Sequence, residues 1–572
     1  MDSLFHTFFY LVLTFALAKP LGGYMARVYT GKRVWTQPVL GWAERLVYKV
    51  CGVDPKQEMG WFTYLISLTT LGFLGFFLLF VILVFQGVLP MNPQGYAGLS
   101  ADLAFNAAMS FVTNTNWQSY SGEAQLSYFS QAVGLTVQNF LSAATGMAVA
   151  VALFRGLKRK QATTIGNAWA DVVRGVIYIL LPLAFIFSLV LVSQGVIQNF
   201  NSYTEYTALE SAKETTQLMA QGPAASQVAI KMLGSNGGGF FNVNSAHPFE
   251  NPTPLTNFMN MISILLIPVA LVFCFGVMIS DRRQSWVLLS AMTAIFLPLI
   301  LIAGNLEASG NPLLDKKLVN QEAGNMEGKE VRVGAADSAL WAVATTATSN
   351  GSVNSMHDSF MPLAGMIPLL LIQFGEVIFG GVGSGAFGMI IYVIITVFIG
   401  GLMVGRTPEY LGKKLGPFEI KMASLVIIIP ACFVLTGTAL AVSLQAGVMA
   451  TTNEGAQAFS EILYAFSSAS NNNGSAFAGL NANSPFYNTI LGICMFIGRY
   501  WLFVPVLAVA GSLATKNIVP QSPGTLPTHT PLFVVMLVGV IILLDVLTYV
   551  PALALGPIAE HMALVEQIQA SP

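Results

Sequence analysis

Four short polar stretches interrupt the long apolar runs of this chain and constrain its fold more than any other feature. The second stretch leads into three consecutive glycines, and glycine enters left-handed backbone conformations at little cost. The four asparagines at the second position are spaced 122, 114 and 123 residues apart, and such near-even spacing predicts structural repeats. The stretches are Thr113-Asn114-Thr115-Asn116, Ser235-Asn236-Gly237-Gly238, Ser349-Asn350-Gly351-Ser352 and Asn472-Asn473-Gly474-Ser475.

Each polar stretch follows a short segment with helical potential and lies between two apolar runs. The repeated unit is therefore predicted to be membrane helix, pore helix, loop, membrane helix, with pore helices at 101–112, 224–233, 338–348 and 458–469. Non-helical backbone at membrane depth is tolerated only where protein buries it or where it lines a water-filled cavity. We expect the four loops to meet on one axis, where carbonyl oxygens replace the water of a cation and the pore-helix dipoles favour positive charge. Four unrelated turns are the alternative, and the repeated context weighs against it.

The composition is that of an integral membrane protein. Of 572 residues, 54% are hydrophobic and only 9% charged, whereas roughly a quarter of the residues in soluble domains carry charge. A helix needs about 20 mostly apolar residues to span a bilayer. The net charge of −1 gives no reason to expect a nucleic-acid partner. Ten spans are predicted, at 4–24, 63–86, 129–155, 172–195, 256–279, 286–304, 361–404 in two pieces, 420–444, 486–512 and 531–552.

The basic residues predict the topology. The segments that join odd spans to even spans hold 17 of the 26 lysines and arginines, and under the positive-inside rule these joints are cytoplasmic. Both termini and all four filter loops are then expected on the outside, together with the polar outer loops 196–223 and 305–337. The first span lacks a basic n-region and a small-residue cleavage site, so we expect a retained helix rather than a cleaved signal.

One integral membrane domain is expected, with an added helix at each end of the four repeats. The predicted divisions are 1–60 for the N-terminal helix and a cytoplasmic loop, 61–171, 172–283, 284–421 and 422–516 for repeats one to four, and 517–572 for the C-terminal helix. The predicted fold class is thus all-α and polytopic, with ten transmembrane spans around one pore.

Two polar residues near the filter have alternative interpretations. Gln118, four residues beyond Asn114, is expected either to project into the space below the filter or to bond a loop carbonyl. Lys231, in the second pore helix, is expected to face outward or to find a partner rather than to line a cation path. Buried polar groups in membranes need partners in either case.

The seventh span is too long for one helix and carries a glycine-rich interruption. Gly383, Gly385 and Gly388 formally satisfy G-x-G-x-x-G, but no strand precedes them and no βαβ unit surrounds them, so a nucleotide site is excluded by context. The interruption is predicted to be a loop across the pore beneath the filter. Glu376 beside it is either functional, as intramembrane carboxylates usually are, or part of a salt bridge that holds the loop. The loop glycines singled out are Gly380, Gly381, Gly383 and Gly385.

Two further charges lie in the last spans. Arg499 is the sole charge within 486–510, where burial costs at least about 2.5 kcal/mol on insertion scales. It is expected to act as an electrostatic barrier below the filter or to tie structurally to Glu376 or a filter loop, and the two roles are compatible. Asp545, on the added C-terminal span, is expected to have a polar partner rather than a pore position.

Several kinds of chemistry are absent from the sequence. The five histidines are isolated, no G-x-S-x-G elbow occurs, and the four cysteines lack metal-binding spacing. Neither a phosphate-binding G-x-x-x-x-G-K-[ST] loop nor the Asp-Lys-Thr-Gly-Thr sequence of aspartyl-phosphate enzymes is present. We therefore expect no catalytic site and no ATP hydrolysis by this chain.

The four filter stretches, together with Gly375-Glu376-Val377-Ile378-Phe379-Gly380-Gly381-Val382-Gly383-Ser384-Gly385, resemble the KdpA family over essentially the full length. The resemblance implies a potassium-binding subunit, within the superfamily of potassium transporters, of an ATP-driven uptake complex in the bacterial inner membrane. It implies three partners besides membrane lipids: the P-type ATPase subunit KdpB, which uses ATP and magnesium, the single-span KdpC and the small peptide KdpF. Potassium is the only ion implied for this chain. Gln118, Glu376, the Gly380–Gly385 loop and Arg499 are implied to lie under the filter, on an intramembrane tunnel towards KdpB.

Two other classes of function remain as alternatives. A stand-alone potassium channel or ion-coupled symporter of the same superfamily would share the fold. The predicted obstruction of the ion path below the filter, by the glycine-rich loop with Glu376 and by Arg499, argues against it. A membrane-embedded enzyme would need clustered His, Asp or Glu at one membrane face, and the sequence shows none. Thr115 stands where the other stretches have Gly237, Gly351 and Gly474, so the filter is expected to be asymmetric.

Overall fold

The computed structural model describes residues 2–207, 216–315, 317–403, 405, 407–520 and 525–570. Within those ranges ten helices are long and apolar enough to cross a membrane, which confirms the predicted number of spans. Residue 404, at the end of the predicted seventh span, and residues 208–215 of the predicted outer loop lie outside the described ranges.

The added N-terminal helix packs against the second repeat. Helix α1 (Asp2–Tyr29) lies along the helix Pro254–Met278, where Tyr10 donates its hydroxyl to the carbonyl of Met261 at 3.0 Å. The amphipathic helix α2 (Gln37–Cys51) follows. It was not predicted, because the sequence argument used the segment 25–60 only for its charges.

The four repeats share the order membrane helix, pore helix, filter loop and membrane helix, with different short elements between them. Repeat one consists of α3 (Trp61–Phe85), pore helix α4 (Ala101–Val112), α5 (Gly122–Gln125), a π-helical turn (Ser130–Leu135) and α6 (Thr136–Lys158). Repeat two consists of α7 (Ala168–Arg174), a π-helical turn (Gly175–Leu180), α8 (Leu181–Ser193), the antiparallel strands β1 (Thr204–Thr207) and β2 (Thr216–Met219), pore helix α9 (Ala224–Leu233) and α10 (Pro254–Met278).

Repeats three and four differ in their second span. Repeat three consists of α11 (Arg282–Ala308), pore helix α12 (Gly334–Ala347), α13 (Pro362–Gln373) and α14 (Ser384–Met403), so its second span is broken as predicted; β3 (Glu409–Tyr410) and β4 (Lys413–Lys414) follow. Repeat four consists of α15 (Pro417–Ser443), α16 (Gln445–Val448), pore helix α17 (Gly455–Ser470), α18 (Pro485–Phe496), a π-helical turn (Ile497–Trp501) and α19 (Leu502–Thr515). The C-terminal part is α20 (Pro531–Leu553), a π-helical turn (Ala554–Ile558) and α21 (Ala559–Ala570).

The pore helices lie in the interior of the molecule, and this position explains their composition. Small side chains such as those of Ala107, Ala229, Ala344 and Ala465 are almost fully buried, and small residues let helices approach closely in membrane proteins. The bounds of α4 and α9 agree with the prediction, whereas α12 and α17 begin a few residues earlier. Helix α4 ends directly before its polar stretch, and the other three pore helices end one residue further from theirs.

Candidate cation filter and the cavity beneath it

The four pore helices end with the same backbone. In each, an N–H of the polar stretch bonds the carbonyl five residues earlier, as Thr115 to Ser110, Asn236 to Lys231, Asn350 to Thr345 and Asn473 to Ser468, at 2.9–3.0 Å. Left-handed φ angles then occur twice, two residues apart, at Asn114 and Asn116 (68° and 52°), Ser235 and Gly237 (48° and 72°), Ser349 and Gly351 (52° and 72°), and Asn472 and Gly474 (54° and 97°). The four stretches are therefore structural equivalents.

The shared backbone corrects the predicted alignment of repeat one. Asn116, and not Thr115, occupies the position of the filter glycines, because it is the third residue after the cap and has φ of 52°. Asparagine tolerates this left-handed region better than most residues. The predicted alignment matched the asparagine at the second position of every stretch, but repeat one carries its asparagines one residue to either side of the equivalent position. The predicted asymmetry of the filter is correct, and its location shifts by one residue.

The filter loops contact one another in a fixed cyclic order. A Cβ atom on Gly237 would overlap the carbonyl oxygen of Asn350 in the next loop. The same is true of Gly351 against the Asn473 carbonyl, and of Gly474 against the Thr115 carbonyl. Asn116 completes the circle through its side chain, which donates to the Gly237 carbonyl at 2.9 Å. The four loops thus form one closed ring, as the sequence predicted.

Asparagine side chains fix neighbouring loops to one another. The amide nitrogen of Asn114 donates to the Ser235 carbonyl at 2.8 Å, and that of Asn236 donates back to the Asn114 side chain at 2.6 Å. Asn472 donates to the Thr115 hydroxyl at 2.9 Å. These side chains serve as braces between loops, so their role is to position the backbone of the ring.

Side chains from the pore helices also hold the backbone just beyond the filter glycines. Three carbonyls at equivalent positions accept hydrogen bonds: Trp117 from the Ser110 hydroxyl at 2.9 Å, Gly238 from the Lys231 ammonium at 2.6 Å, and Ser352 from the Trp341 indole at 2.9 Å. These three repeats hold the equivalent carbonyl with three different donors, whereas in repeat four the Tyr464 hydroxyl contacts the hydroxyl of Ser475 at 2.8 Å. Sequence reasoning missed these donors, because no spacing rule links the middle of a pore helix to its loop.

Lys231 is fixed by a buried ion pair. Its ammonium contacts the carboxylate of Glu250, and the two side chains are 1% and 0% exposed. The second oxygen of Glu250 accepts the backbone N–H of Phe241 at 2.9 Å. The expectation that Lys231 finds a partner is confirmed, and the pair ties the second filter loop at two points.

Gln118 lies on the outer side of the filter, so its predicted position below the filter is wrong. It lines an outer cavity of about 860 Å³ formed mainly by the segments that follow the filter loops. The backbone runs back outward from the end of each pore helix, and later residues are therefore nearer the mouth. Its amide donates to the Gly239 carbonyl at 2.9 Å and accepts the Gly239 N–H at 2.8 Å, which confirms the alternative that it bonds the loop backbone.

The break between α13 and α14 passes beneath the third filter loop. Gly380 donates its N–H to the carbonyl of Ala347 at 3.0 Å, at the end of the third pore helix. Gly383 approaches the backbone of Gly146 so closely that a Cβ would overlap it, and Gly385 has the same relation to Phe379. Gly381 packs near Ser384 and Ser349. These glycines therefore permit close packing within the break.

Glu376 faces a narrow cavity of about 40 Å³ under the filter. Its backbone is left-handed, with φ of 62°, and its side chain is 7% exposed. Among the described residues no hydrogen-bond partner reaches its Oε1 atom, and no ion pair joins it to Arg499. The salt-bridge interpretation of Glu376 is therefore not supported.

Arg499 lines the same cavity from a π-helical turn in the last span of repeat four. It donates from Nη2 to the carbonyl of Ser142 at 3.0 Å, and its guanidinium lies 5.3 Å from the ring centre of Phe503. Its Nε atom has no hydrogen-bond partner among the described residues. Helical turns of this type are frequent at functional sites, and this one holds a buried positive charge beside the cavity.

Asp545 lines this cavity too, so the expectation that it has no position there is wrong. The other half of the expectation is confirmed, because the hydroxyl of Tyr392 donates to its carboxylate at 3.0 Å. Helix α20 is outside the four predicted repeats, and its sequence alone does not show that the cavity extends as far as this helix.

The chemistry of the filter suits a weakly hydrated cation held by neutral oxygens. Among the described residues no group of three or more His, Cys, Asp or Glu could hold a metal ion. The filter offers backbone carbonyls and the oxygens of Thr, Ser and Asn instead. Rings of carbonyl oxygens are the usual means of replacing the hydration shell of potassium.

A closed ring of four re-entrant loops over an intramembrane cavity defines a polytopic membrane protein with a single cation filter. Residues 8–562 match the family described as potassium-transporting ATPase A subunit, KdpA, and the chain belongs to that family.

Curated relatives match almost the whole chain. The proteins named potassium-transporting ATPase potassium-binding subunit from Sorangium cellulosum, Methylococcus capsulatus and Herpetosiphon aurantiacus are 57%, 55% and 56% identical, over 97% of this chain and 98% of their own. The crystal structure of the potassium transporter TrkH from Vibrio parahaemolyticus aligns with 87% of this chain and 97% of its own, at 17% identity and a TM-score of 0.48. The family match at residues 8–562 includes all four repeats and the four filter loops.

Proposed function

We propose that this chain is the potassium-binding and translocating subunit of an ATP-driven potassium uptake complex of the Kdp type. It captures potassium at the four-loop filter and delivers it through the cavity beneath to a P-type ATPase subunit. The observation that carries the proposal is the closed ring of loops above an obstructed path. The names of the relatives support the identity of the ion and the membership of an ATPase complex.

The obstruction is the reason to propose sideways delivery. An ion that leaves the filter meets the break between α13 and α14, with Glu376 at its surface, and then the charge of Arg499. A buried guanidinium opposes passage of a cation because screening is weak at membrane depth. We infer that the ion is retained under the filter and leaves laterally when the ATPase subunit accepts it.

The remaining parts of the complex are proposed from the family resemblance. KdpB would hydrolyse ATP with magnesium, since this chain carries no phosphate-handling motif. KdpC and KdpF would complete the assembly in the inner membrane of a bacterium. The distribution of basic residues favours termini and a filter mouth on the outside.

The test is potassium uptake by the purified complex in proteoliposomes, with Gly351→Ala as the filter variant and Gly304→Ala as the control. A Cβ at Gly351 would overlap the neighbouring loop, whereas one at Gly304 meets nothing within 4 Å. We expect ATP-dependent uptake in the wild type, a higher half-saturating potassium concentration in Gly351→Ala, and no change in Gly304→Ala. ATP-independent flux through the chain alone would instead favour the stand-alone channel or symporter.

A further inference from the structure

The cavity beneath the filter extends away from Glu376 to the face of α20. Glu376 and Arg499 lie at one part of its wall, and Tyr392 on α14 and Asp545 on α20 lie at another. Tyr392 is eight residues beyond Ser384 at the start of α14, a rise of about 12 Å along the helix. Asp545 is thus a second carboxylate on the same cavity, displaced along α14 from the break that carries Glu376.

Three oxygen-bearing side chains of α20 lie on one helical face. Asp545, Thr548 and Tyr549 are at positions i, i+3 and i+4, which share a face of an α-helix, and all three line the cavity. The hydroxyl of Tyr392 reaches both carboxylate oxygens of Asp545, at 3.0 and 3.2 Å. This wall therefore carries one carboxylate bonded by the Tyr392 hydroxyl, beside Tyr549 and beside Thr548, whose hydroxyl donates to the Leu544 carbonyl at 2.7 Å.

The opposite wall is apolar and includes a proline inside a helix. Val426 and Pro430 of α15 line the cavity, and Pro430 has no N–H to donate to the carbonyl four residues earlier, which is that of Val426. A backbone carbonyl freed in this way is an oxygen ligand of the type that hard cations prefer. Both α15 and α20 are among the more exposed spans, so this wall is the outer one.

Asp545 has no basic partner among the described residues. Its side chain is 3% exposed, none of the described ion pairs includes it, and its described hydrogen-bond donor is the neutral Tyr392. A carboxylate at membrane depth is costly and therefore usually functional. A cation that moves sideways from Glu376 into the apolar part of the cavity needs a compensating negative charge, and Asp545 is the carboxylate that lines this part.

We propose that Asp545, with Tyr392, Thr548 and Tyr549, forms a second intramembrane site for a monovalent cation, which receives the ion after Glu376 and before it leaves past α15 and α20. The site rests on the proposed function, because it assumes that the ion moves sideways below the filter. It gives the transfer an intermediate position between capture and the ATPase subunit.

The competing interpretation is that the Tyr392–Asp545 hydrogen bond only ties α14 to α20. Two variants separate these roles in the complete complex. Asp545→Asn removes the charge but keeps an acceptor for the Tyr392 hydroxyl, whereas Tyr392→Phe removes the hydrogen bond and keeps the carboxylate. Glu566→Gln, an exposed carboxylate change on α21, is the matched control.

The variants are compared by maximal potassium-driven ATP hydrolysis and uptake, and by the half-saturating potassium concentration. We expect Asp545→Asn to lower the maximal rates by about tenfold or more because an intramembrane charge is lost, with half-saturation nearly unchanged because the filter is intact. Tyr392→Phe is expected to lower the rates much less, and Glu566→Gln not at all. Equal losses in both cavity variants, or a larger loss in Tyr392→Phe, would show the tie between helices and overturn the ion site.

A direct measurement covers the case in which Asp545→Asn does not assemble. The experiment is a crystal or cryo-EM structure of the wild-type complex with thallium(I) in place of potassium. We expect thallium within coordination distance of the Asp545 carboxylate. If complexes prepared during ATP turnover show thallium at the filter but not at Asp545, the proposal of a second site is wrong. If thallium binds at neither place, or the wild-type complex does not couple uptake to ATP, the proposed function itself fails.

Discussion

The filter and the cavity beneath it treat buried charge in opposite ways. Around the filter, Lys231 is paired with Glu250, and Lys329, which lines the outer cavity, is paired with Glu307 at 2.8 Å. In the cavity, the Oε1 atom of Glu376 and the Nε atom of Arg499 have no hydrogen-bond partner among the described residues. A selective ring needs fixed geometry, whereas a transfer path needs charges that are able to change partners as an ion passes.

The largest expected effect is at the closest contact of the ring. In Gly237→Asp the new Cβ would overlap the Asn350 carbonyl, and φ of 72° is strained for a residue with a side chain. We expect a loss of potassium affinity of about a hundredfold or more, on the order of 3 kcal/mol for strained backbone and a misplaced carbonyl. The measurement is the half-saturating potassium concentration for ATPase activity of the complex, with rubidium and sodium compared.

Gly304→Ala serves as the control for added volume, since it lies on a membrane helix with open space around it. An unchanged half-saturation and an unchanged ion ranking in Gly237→Asp would show that the ring is not the selective element.

The next effect concerns the ion pair that ties the second filter loop. Lys231→Met leaves the carboxylate of Glu250 buried without its partner, and removing one member of a buried pair costs about 3–5 kcal/mol. We expect a lower thermal unfolding temperature of the complex and weaker potassium binding. The double variant Lys231→Met/Glu250→Leu is expected to regain stability but not affinity, because the Gly238 carbonyl still lacks its donor.

If the double variant regains both stability and potassium affinity, the ion pair only stabilises the fold. The contrast between paired charges at the filter and unpaired charges in the cavity would then have no functional meaning at this position. If the single variant is as stable as the wild type, the carboxylate has found another partner.

The effect expected at Arg499 is on coupling rather than on capture. Arg499→Met keeps much of the side-chain length and removes the charge, so the barrier below the filter is lost while the ring stays intact. We expect assembly, a modest change in half-saturation, and several-fold fewer ions moved per ATP, because an unopposed cation is able to return. The ratio of rubidium uptake to phosphate release in proteoliposomes measures this. Normal coupling and affinity would mean that the charge has no part in transfer.

The smallest effect is expected in the outer mouth. Gln118→Ala removes two hydrogen bonds to the backbone of Gly239, each worth about 0.5–1.5 kcal/mol, at a point beyond the filter glycines. We expect a change in half-saturation of severalfold at most, and no change in ions moved per ATP. A coupling defect comparable with that of Arg499→Met would place Gln118 on the transfer path after all.

The spans, the pore helices and the broken helix were predictable because each depends on a local pattern. Apolar runs of sufficient length, a helical segment before each polar stretch, and glycines between α13 and α14 leave few arrangements that satisfy the backbone in a membrane. The amphipathic helix α2 was missed, because its segment was considered only as a source of positive charge.

The details of the sites were less accessible, because they depend on contacts between distant residues. The register of repeat one could not be fixed without the backbone angles of Asn114 and Asn116. Glu250 is 19 residues from Lys231, and no periodicity joins a pore helix to the segment after its loop. Asp545 was misjudged because the extent of a cavity is a property of packing among three helices, and not of the sequence of any one of them.

The most direct test of the account is rubidium flux in proteoliposomes that contain either the chain alone or the complete complex. The account predicts ATP-dependent uptake by the complex, and neither ATP hydrolysis nor appreciable passive flux by the chain alone, because the path below the filter is obstructed and the phosphate-handling motifs are missing. Passive, potassium-selective flux through the chain alone at rates above the pumping rate would contradict it, since the filter would then open directly to the cytoplasm.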